Sequence, residues 1–176
     1  MIESFYGQFF RYYILLFFPM DYIQQLRQYI GHHPILMLGA VTLVLNKEDH
    51  LLMMRRTDSG HWGIPGGAVE LGEVIEEAAK RETREETNLE VMAMSLFGVF
   101  SGPELYYKYP NGDEVYNVTI VYLSHDWHGE VKLNGEHTKW EWLAPDEIPD
   151  DVSPPIKPVI ASFRNSFSKP NKSEDS

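Results

Sequence analysis

The sequence contains no cysteine and has a deficit of positive charge. The absence of cysteine among its 176 residues excludes disulfides, Cys-ligated zinc and thiol nucleophiles, and it fits a reducing cytosol, so we expect a cytoplasmic protein. Lysine and arginine number 15 against 26 acidic residues, which gives a formal net charge of −11. Because proteins hold nucleic acid by neutralising its phosphates, this balance argues against a nucleic-acid partner. An anionic substrate could bind to such an acidic protein only if a bound cation neutralised part of the repulsion.

The aromatic stretch of residues 1–19 lacks an apolar run that could span a bilayer. Its longest unbroken run, residues 12–19, is eight residues long, whereas a spanning helix needs about 20. Glu3 precedes that run, Arg11 interrupts the apolar part, and no small-residue cleavage site follows, so a secretory signal is disfavoured. Two interpretations stay open: Met20 is the native start, or residues 1–19 form an arm that packs on a partner subunit or lies on a membrane surface. We expect no membrane partner and leave a homodimer open.

The length and the apolar pattern predict one α/β domain over residues 20–168, followed by a disordered tail over residues 169–176. Periodicity of 3.6 predicts helices and short apolar runs predict strands. The predicted helices are residues 21–30, 73–87 and 158–167, and the predicted strands are residues 35–45, 91–101, 105–109, 115–124 and 139–143, with residues 51–54 as the hairpin partner of 35–45 and residues 62–67 as a loop.

The helix predicted over residues 73–87 carries three glutamates on one face. Glu82, Glu85 and Glu86 have the spacing i, i+3 and i+4. Three like charges so arranged repel one another and raise one another's pKa, so the cluster calls for a bound cation. Carboxylate oxygens without His or Cys favour Mg²⁺, with Mn²⁺ as the alternative.

Around these glutamates the sequence resembles the Nudix (MutT-like) hydrolase family. The family signature is Gly, five residues, Glu, seven residues, Arg-Glu, an aliphatic residue, any residue, Glu-Glu, any residue, Gly and an aliphatic residue. Thr83 replaces the aliphatic residue and Asn88 replaces the second Gly, but Thr is β-branched and Asn tolerates the left-handed conformation that ends a helix. The resemblance covers most of residues 35–149. The residues in register are Gly67, Glu73, Arg81, Glu82, Glu85, Glu86 and Leu89.

The resemblance implies an α/β fold in which a mixed β-sheet is sandwiched between helices. It also implies Mg²⁺-dependent cleavage of a phosphoanhydride bond in a nucleoside diphosphate derivative. By the same resemblance, Arg81 would hold one carboxylate in place by a charge-assisted fork. The implied metal ligands are Glu82, Glu85 and Glu86, assisted by the Gly67 carbonyl and by Glu73.

Hydrolysis also requires a general base to take a proton from the attacking water. Glu85 is our first choice because it lies beside the metal ligands. Relatives often supply a loop glutamate, so Glu136 and Glu141 are further candidates, and His137 is another. The sequence leaves this choice open.

Residues after the signature bear on the substrate. Relatives that act on ADP-ribose carry a proline at a set distance, and Pro103 lies 14 residues past Leu89. Relatives that act on dinucleoside polyphosphates carry a tyrosine slightly further on, where this chain has Tyr106 and Tyr107. These two tyrosines and Arg55 are the candidate substrate-binding residues, although strand neighbours point to opposite faces.

We therefore expect an enzyme of the ADP-ribose pyrophosphatase-like branch. Nucleoside triphosphates and dinucleoside polyphosphates are the alternative substrates. A catalytically silent nucleotide-binding module is the alternative of another class, whereas the isomerase branch of the family is excluded because it needs a cysteine.

Overall fold

The structure is a computed structural model that describes residues 21–109 and 111–167. The predictions for residues 1–19 and 169–176, and both ends of the predicted domain, lie outside these residues. The chain divides between His32 and His33 into two compact units. Within the described ranges, no helix is long and apolar enough to cross a membrane.

The first unit contains helix α1, Tyr22–Ile30, which confirms the predicted helix. The Asp21 carboxylate caps its N-terminus by accepting a hydrogen bond from the Gln24 N–H at 2.8 Å. Gly31 ends the helix with φ of 59°, a conformation that glycine adopts without a steric penalty, and its N–H donates to the Arg27 carbonyl.

The second unit contains eight strands, two further α-helices and two 3₁₀ turns among the described residues. The other two predicted helices are both present, and the first of them begins two residues later than predicted. The elements are β1 (Ile35–Val44), β2 (Leu51–Arg56), β3 (Trp62–Gly63), β4 (Gly66–Ala68), α2 (Ile75–Thr87), β5 (Glu90–Phe100), a 3₁₀ turn (Pro103–Leu105), β6 (Tyr106–Lys108), β7 (Glu114–His128), β8 (His137–Leu143), a 3₁₀ turn (Pro154–Ile156) and α3 (Lys157–Phe167).

The strands form two sheets. In the larger sheet the order is β4-β1-β7-β5, and β6 also pairs with β7. Strand β1 runs parallel to β7, with Ile35 opposite Val115, and the other pairs are antiparallel. The smaller sheet has the order β3-β2-β8 and is antiparallel. The larger sheet is therefore mixed, as predicted.

Two details of the predicted topology were wrong. Strands β1 and β2 do not form a hairpin, because they lie in different sheets and meet at a single bridge, Leu45 to Leu51. The C-terminal half of β1 and the residues Leu51–Met54 are buried, so each strand lies inside its own sheet with a neighbour on both edges. The predicted loop 62–67 contains β3 and the start of β4, because β2 and β1 offer their edges to these short extended segments.

Alternation along β1 separates two apolar layers. Val41, Leu43 and Leu45 belong to the main core cluster, which also contains Val159, Ile160 and Phe163 of α3. Ala40, on the opposite face, packs with Ala78 and Ala79 of α2. Because side chains alternate with period two, β1 contributes to a different apolar cluster on each face, and each cluster includes residues of one helix. This arrangement confirms the predicted sandwich of a mixed sheet between helices.

Candidate active site

Helix α2 presents the three predicted glutamates at the end of β4. Glu86 is the most buried of them, with 5% of the residue exposed, and its Oε2 accepts a hydrogen bond from the Gly66 N–H at 2.9 Å. The Glu82 side chain is 17% exposed and the Glu85 side chain 52% exposed. The exposure of the three carboxylates therefore increases from Glu86, which is buried, through Glu82 to Glu85, which is open to solvent.

Two glycines let β4 approach this face closely. A Cβ added at Gly67 would lie 2.5 Å from the Glu82 carboxyl carbon, and one at Gly66 would lie 2.6 Å from the Ala40 carbonyl oxygen. Gly66 also has φ of 151°, where side chains are strained. The Glu82 carboxylate thus lies directly against the backbone of the predicted ligand Gly67.

Arg81 organises the carboxylates. Its Nε and Nη2 donate to the two Glu73 oxygens at 2.7 and 3.0 Å, and its Nη1 donates to Glu82 Oε1 at 2.7 Å and Glu85 Oε2 at 3.2 Å. Nη2 also donates to the Ala68 carbonyl. The sequence predicted one carboxylate as its partner, whereas the structure gives it three. Both carboxylate oxygens of Glu73 accept hydrogen bonds from Arg81, and these bonds lower the Glu73 pKa. Glu73 therefore supports the site by holding Arg81 in place.

Burial and like charge act together on the two inner glutamates. Burial raises the pKa of Glu86 to about 8, the Gly66 N–H and Arg56 oppose this rise, and the charges of Glu82 and Glu136 add to it. Burial also raises the pKa of Glu82, Arg81 opposes that rise, and Glu85 and Glu136 reinforce it. The charged forms of these side chains therefore need more positive charge than Arg81 supplies.

The donor set fits a hard divalent cation. The residues that would hold it are Glu82, Glu85 and Glu86, all oxygen donors on one helix face. In the described part of the chain, no three His, Cys, Asp or Glu side chains already converge in a metal-binding arrangement. Arg81 holds Glu82 and Glu85 while Gly66 holds Glu86, so small side-chain rotations would have to bring the oxygens together.

A loop between β7 and β8 brings Glu136 to the same face. The Lys132 N–H donates to the Thr87 carbonyl at the end of α2, and the Thr57 N–H donates to the Glu136 carbonyl at 2.8 Å. The loop is thus fixed both to α2 and to the turn after β2, and the Glu136 charge acts on Glu82 and Glu86. The structure brings Glu136 together with the glutamate face.

The other two candidate bases differ from Glu136 in their surroundings. Glu141 pairs with Lys139 at 2.8 Å, and Lys139 lies over the Trp62 ring with its Nζ 4.6 Å from the centroid. This position is on the Arg55 side of the smaller sheet, away from α2. His137 is 7% exposed, and burial together with the nearby Arg56 lowers its pKa.

Adjacent arginines of β2 point in opposite directions. Arg55 pairs with Asp151 at 3.2 Å and lies over Trp62, so the structure does not bring this predicted substrate residue to the glutamates. Arg56 points to the other side, where its charge acts on Glu86 and Tyr109. Because neighbouring side chains of a strand point to opposite faces, only one of these two arginines can face helix α2. In this structure it is Arg56.

The tyrosines of β6 divide in the same way. Tyr107 packs edge-on against Tyr109, with ring centroids 4.8 Å apart, and Tyr109 is electrostatically linked to Arg56. Tyr106 lies on the opposite face, packs against Tyr116 and donates to Glu114 at 3.0 Å. Of the two predicted tyrosines, the structure brings Tyr107 towards Arg56 and leaves Tyr106 outside.

Three residues of this site were missed from the sequence: Arg56, Tyr109 and Gly66. Strand alternation shows that Arg55 and Arg56 lie on opposite faces, but it does not show which of them faces α2. The same alternation puts Tyr109 on the face of Tyr107. Nothing in the sequence shows that the Gly66 N–H donates to Glu86, because that contact depends on the approach of β4 to α2.

Comparison with known proteins bears on the family and the fold of the chain. The family model described as "NUDIX domain" matches residues 36–163. The chain is 31% identical over 128 residues to the Bacillus subtilis protein named "Putative 8-oxo-dGTP diphosphatase", covering 72% of this chain and 79% of that protein. It is 33% identical over 113 residues to the ADP-ribose pyrophosphatase of Methanocaldococcus jannaschii, covering 62% of this chain and 63% of that one. The fold matches a crystal structure of MutT NUDIX hydrolase from Burkholderia pseudomallei with a TM-score of 0.62 at 24% identity, over 77% of this chain and 99% of that one.

Proposed function

This chain belongs to the NUDIX domain family and is a Nudix pyrophosphohydrolase, and from that premise we propose Mg²⁺-dependent cleavage of a nucleoside diphosphate derivative, with ADP-ribose-like compounds as the first choice. The observation that carries the metal requirement is Glu86. It is a buried carboxylate with a single backbone N–H donor and two further glutamates acting on it. Such a group is stabilised when a cation binds.

The reaction needs charge neutralisation on the diphosphate and an in-line water. A bound Mg²⁺ would neutralise phosphate oxygens and lower the pKa of a water molecule. Arg81 holds Glu82 and Glu85, and the Gly66 N–H holds Glu86, so the three carboxylates already lie on one face and would need only side-chain rotations to converge on a cation.

We propose Glu85 as the group that takes the proton from water. Its side chain is half exposed, and among the described residues it accepts a hydrogen bond from Arg81 at Oε2, at 3.2 Å, so Oε1 is available to a water. Glu136 is the second candidate, because the loop holds it opposite Glu82 and Glu86. A Gln variant of the base removes the proton acceptor, so it lowers kcat more than it changes the KM for substrate.

Arg56, Tyr107 and Tyr109 would contact the rest of the nucleotide. A guanidinium matches phosphate geometry, and an aromatic face stacks on any nucleobase. The ADP-ribose preference draws on the M. jannaschii relative and on Pro103, which begins the 3₁₀ turn leading into β6. A nucleoside triphosphate is the second candidate, favoured by the name of the B. subtilis relative.

The test is turnover of a panel containing ADP-ribose, dinucleoside polyphosphates, dGTP and 8-oxo-dGTP with Mg²⁺, read by the release of nucleoside monophosphate. We expect Glu86→Gln to lower kcat at least about 100-fold, the lower end for an essential group of the catalytic machinery. Glu77→Gln is the matched control, since Glu77 is an exposed glutamate of the same helix paired with Lys80.

The outcomes separate the alternatives. Release of AMP from ADP-ribose with a higher kcat/KM than release from triphosphates supports the first choice, and the reverse order supports the second. Nucleotide binding without turnover of any compound would identify a silent binding module. Full activity of Glu86→Gln would contradict the proposed metal face.

A further inference from the structure

Arg56 is held by a neighbour in its own turn. Its Nε donates to Asp58 Oδ1 at 3.0 Å and its Nη2 donates to Asp58 Oδ2 at 2.8 Å, which is a two-point fork. Paired donors and acceptors of this kind fix the plane of a guanidinium as well as its position. The direction of the Arg56 side chain is therefore set by Asp58.

The turn fixes Asp58 in return. The Ser59 N–H donates to Asp58 Oδ1 at 2.6 Å, the Gly60 N–H donates to the Arg56 carbonyl, and the Arg56 N–H donates to the His61 carbonyl. An exposed ion pair usually contributes little because two mobile side chains must be ordered. Here the backbone of the turn already orders the aspartate, so the fork is a built feature of the turn.

Arg56 has a second anion within its electrostatic reach, which is Glu86. The charge of Arg56 lowers the pKa of Glu86, yet the ion pair of Arg56 is with Asp58. An arginine released from Asp58 would have no fixed partner in the turn, and contact with Glu86 would then be favoured because a neighbouring guanidinium stabilises the ionised form of a buried carboxyl group. That contact would occupy Glu86, a metal ligand in the proposed function, and would withdraw Arg56 from substrate.

We propose that Asp58 is a positioning residue that keeps Arg56 directed towards the substrate and away from Glu86. The proposal rests on the proposed function of the glutamate face. Asp58 touches neither the metal nor the reacting atoms. Its effect passes through Arg56, so removing both residues should be less harmful to metal binding than removing Asp58 alone.

The test is Mn²⁺ binding to the full chain without substrate, followed by electron paramagnetic resonance of free Mn²⁺. We expect Asp58→Ala to weaken Mn²⁺ binding about tenfold, the lower end of what loss of an orienting group costs at a metal site. The double variant Arg56→Gln/Asp58→Ala should recover the affinity of Arg56→Gln. Asp58→Asn, which keeps one acceptor, should lie between wild type and Asp58→Ala.

The chain offers a matched control on the other side of the same strand. Asp151 pairs with Arg55 at 3.2 Å and with His61 at 2.6 Å, so Asp151→Ala also releases an arginine of β2 but removes neither partner of the fork between Arg56 and Asp58. It should bind Mn²⁺ as wild type does. In turnover assays Asp58→Ala should raise the KM for substrate, and Asp151→Ala should not, with circular dichroism verifying the fold of each variant.

Each failure has its own signature. If wild type binds Mn²⁺ and turns over substrate but Asp58→Ala behaves as wild type, the positioning role is wrong and the proposed function stands. An Asp58→Ala variant that the second substitution does not rescue also overturns the positioning role. Wild type that neither binds Mn²⁺ nor turns over any compound would remove the proposed function itself.

Discussion

Glu86 combines burial with an incomplete set of hydrogen bonds. Its carboxylate has the Gly66 N–H as a donor, it is 5% exposed, and the charges of Glu82 and Glu136 oppose its ionisation. Removing a carboxylate from water costs several kcal/mol unless partners replace the lost hydration. The metal-free protein therefore carries a local destabilisation that a bound cation would relieve.

This residue gives a prediction about stability. In metal-free buffer at pH 7, Glu86→Gln should raise the free energy of unfolding by about 1 to 2 kcal/mol, because the neutral amide keeps an acceptor for Gly66 and removes the cost of folding a carboxyl group whose pKa burial raises to about 8. Urea denaturation with EDTA measures it. Glu77→Gln, on the exposed side of the helix, should leave the stability unchanged, and a Glu86→Gln variant less stable than wild type would contradict this account.

Helix α2 is joined to β1 by a buried pair of threonines. The Thr83 hydroxyl donates to the Ala79 carbonyl at 2.8 Å and shares a hydrogen bond of 3.1 Å with the Thr42 hydroxyl, and both threonines are fully buried. Thr83 takes the place where the family signature has an aliphatic residue. The hydroxyl is acceptable there because Thr42 supplies a partner across the interface.

The pair predicts a non-additive pair of substitutions. Thr83→Val and Thr42→Val should each cost about 1 kcal/mol of unfolding free energy, since each leaves the other hydroxyl with a poorer partner. The double variant should cost less than the sum, with a coupling of at least about 0.5 kcal/mol. Chemical denaturation of the four proteins measures the cycle. Additive costs would show that the two hydroxyls act independently.

The same elements show how far the sequence could predict the structure. The glutamate helix and its end at Asn88, whose φ of 63° is left-handed, follow from local spacing and residue type, and both were predicted. The pairing of β2 with β8 was not predicted. Leu51 to Met54 are buried on both faces, and a run of buried apolar residues does not indicate which strand lies beside it. Arg55 was chosen instead of Arg56 for a related reason: alternation identifies two faces, and only the tertiary structure shows which faces α2.

The whole molecule is strongly acidic, with a formal charge of −11. Apart from a bound cation, Arg56 is the positive group that we place beside the substrate, while Arg81 is occupied by carboxylates. An approaching nucleotide therefore meets long-range repulsion before it meets local attraction. Salt screens the long-range part first, because the Debye length is about 10 Å at 0.1 M ionic strength.

Association should consequently become faster as ionic strength rises. Between about 20 and 150 mM NaCl at constant free Mg²⁺, kcat/KM should rise about twofold or more for a nucleoside triphosphate, and by less for ADP-ribose, which carries fewer charges. Steady-state kinetics at low substrate concentration measures the effect. A fall in kcat/KM with salt for both compounds would show that local attraction dominates capture.

The close approach of β4 to α2 matters for anyone who wishes to evolve new activities from this scaffold. A methyl group at Gly66 would overlap backbone atoms of β1, and one at Gly67 would displace the Glu82 carboxylate, so saturation libraries at these codons should yield inactive clones. Tyr107 and Tyr109 pack against each other at the short β6–β7 connection, so we expect a change of ring size there to leave the carboxylates in place. Libraries that aim at altered base preference should therefore randomise Tyr107 and Tyr109, and they should keep Gly66 and Gly67 unchanged.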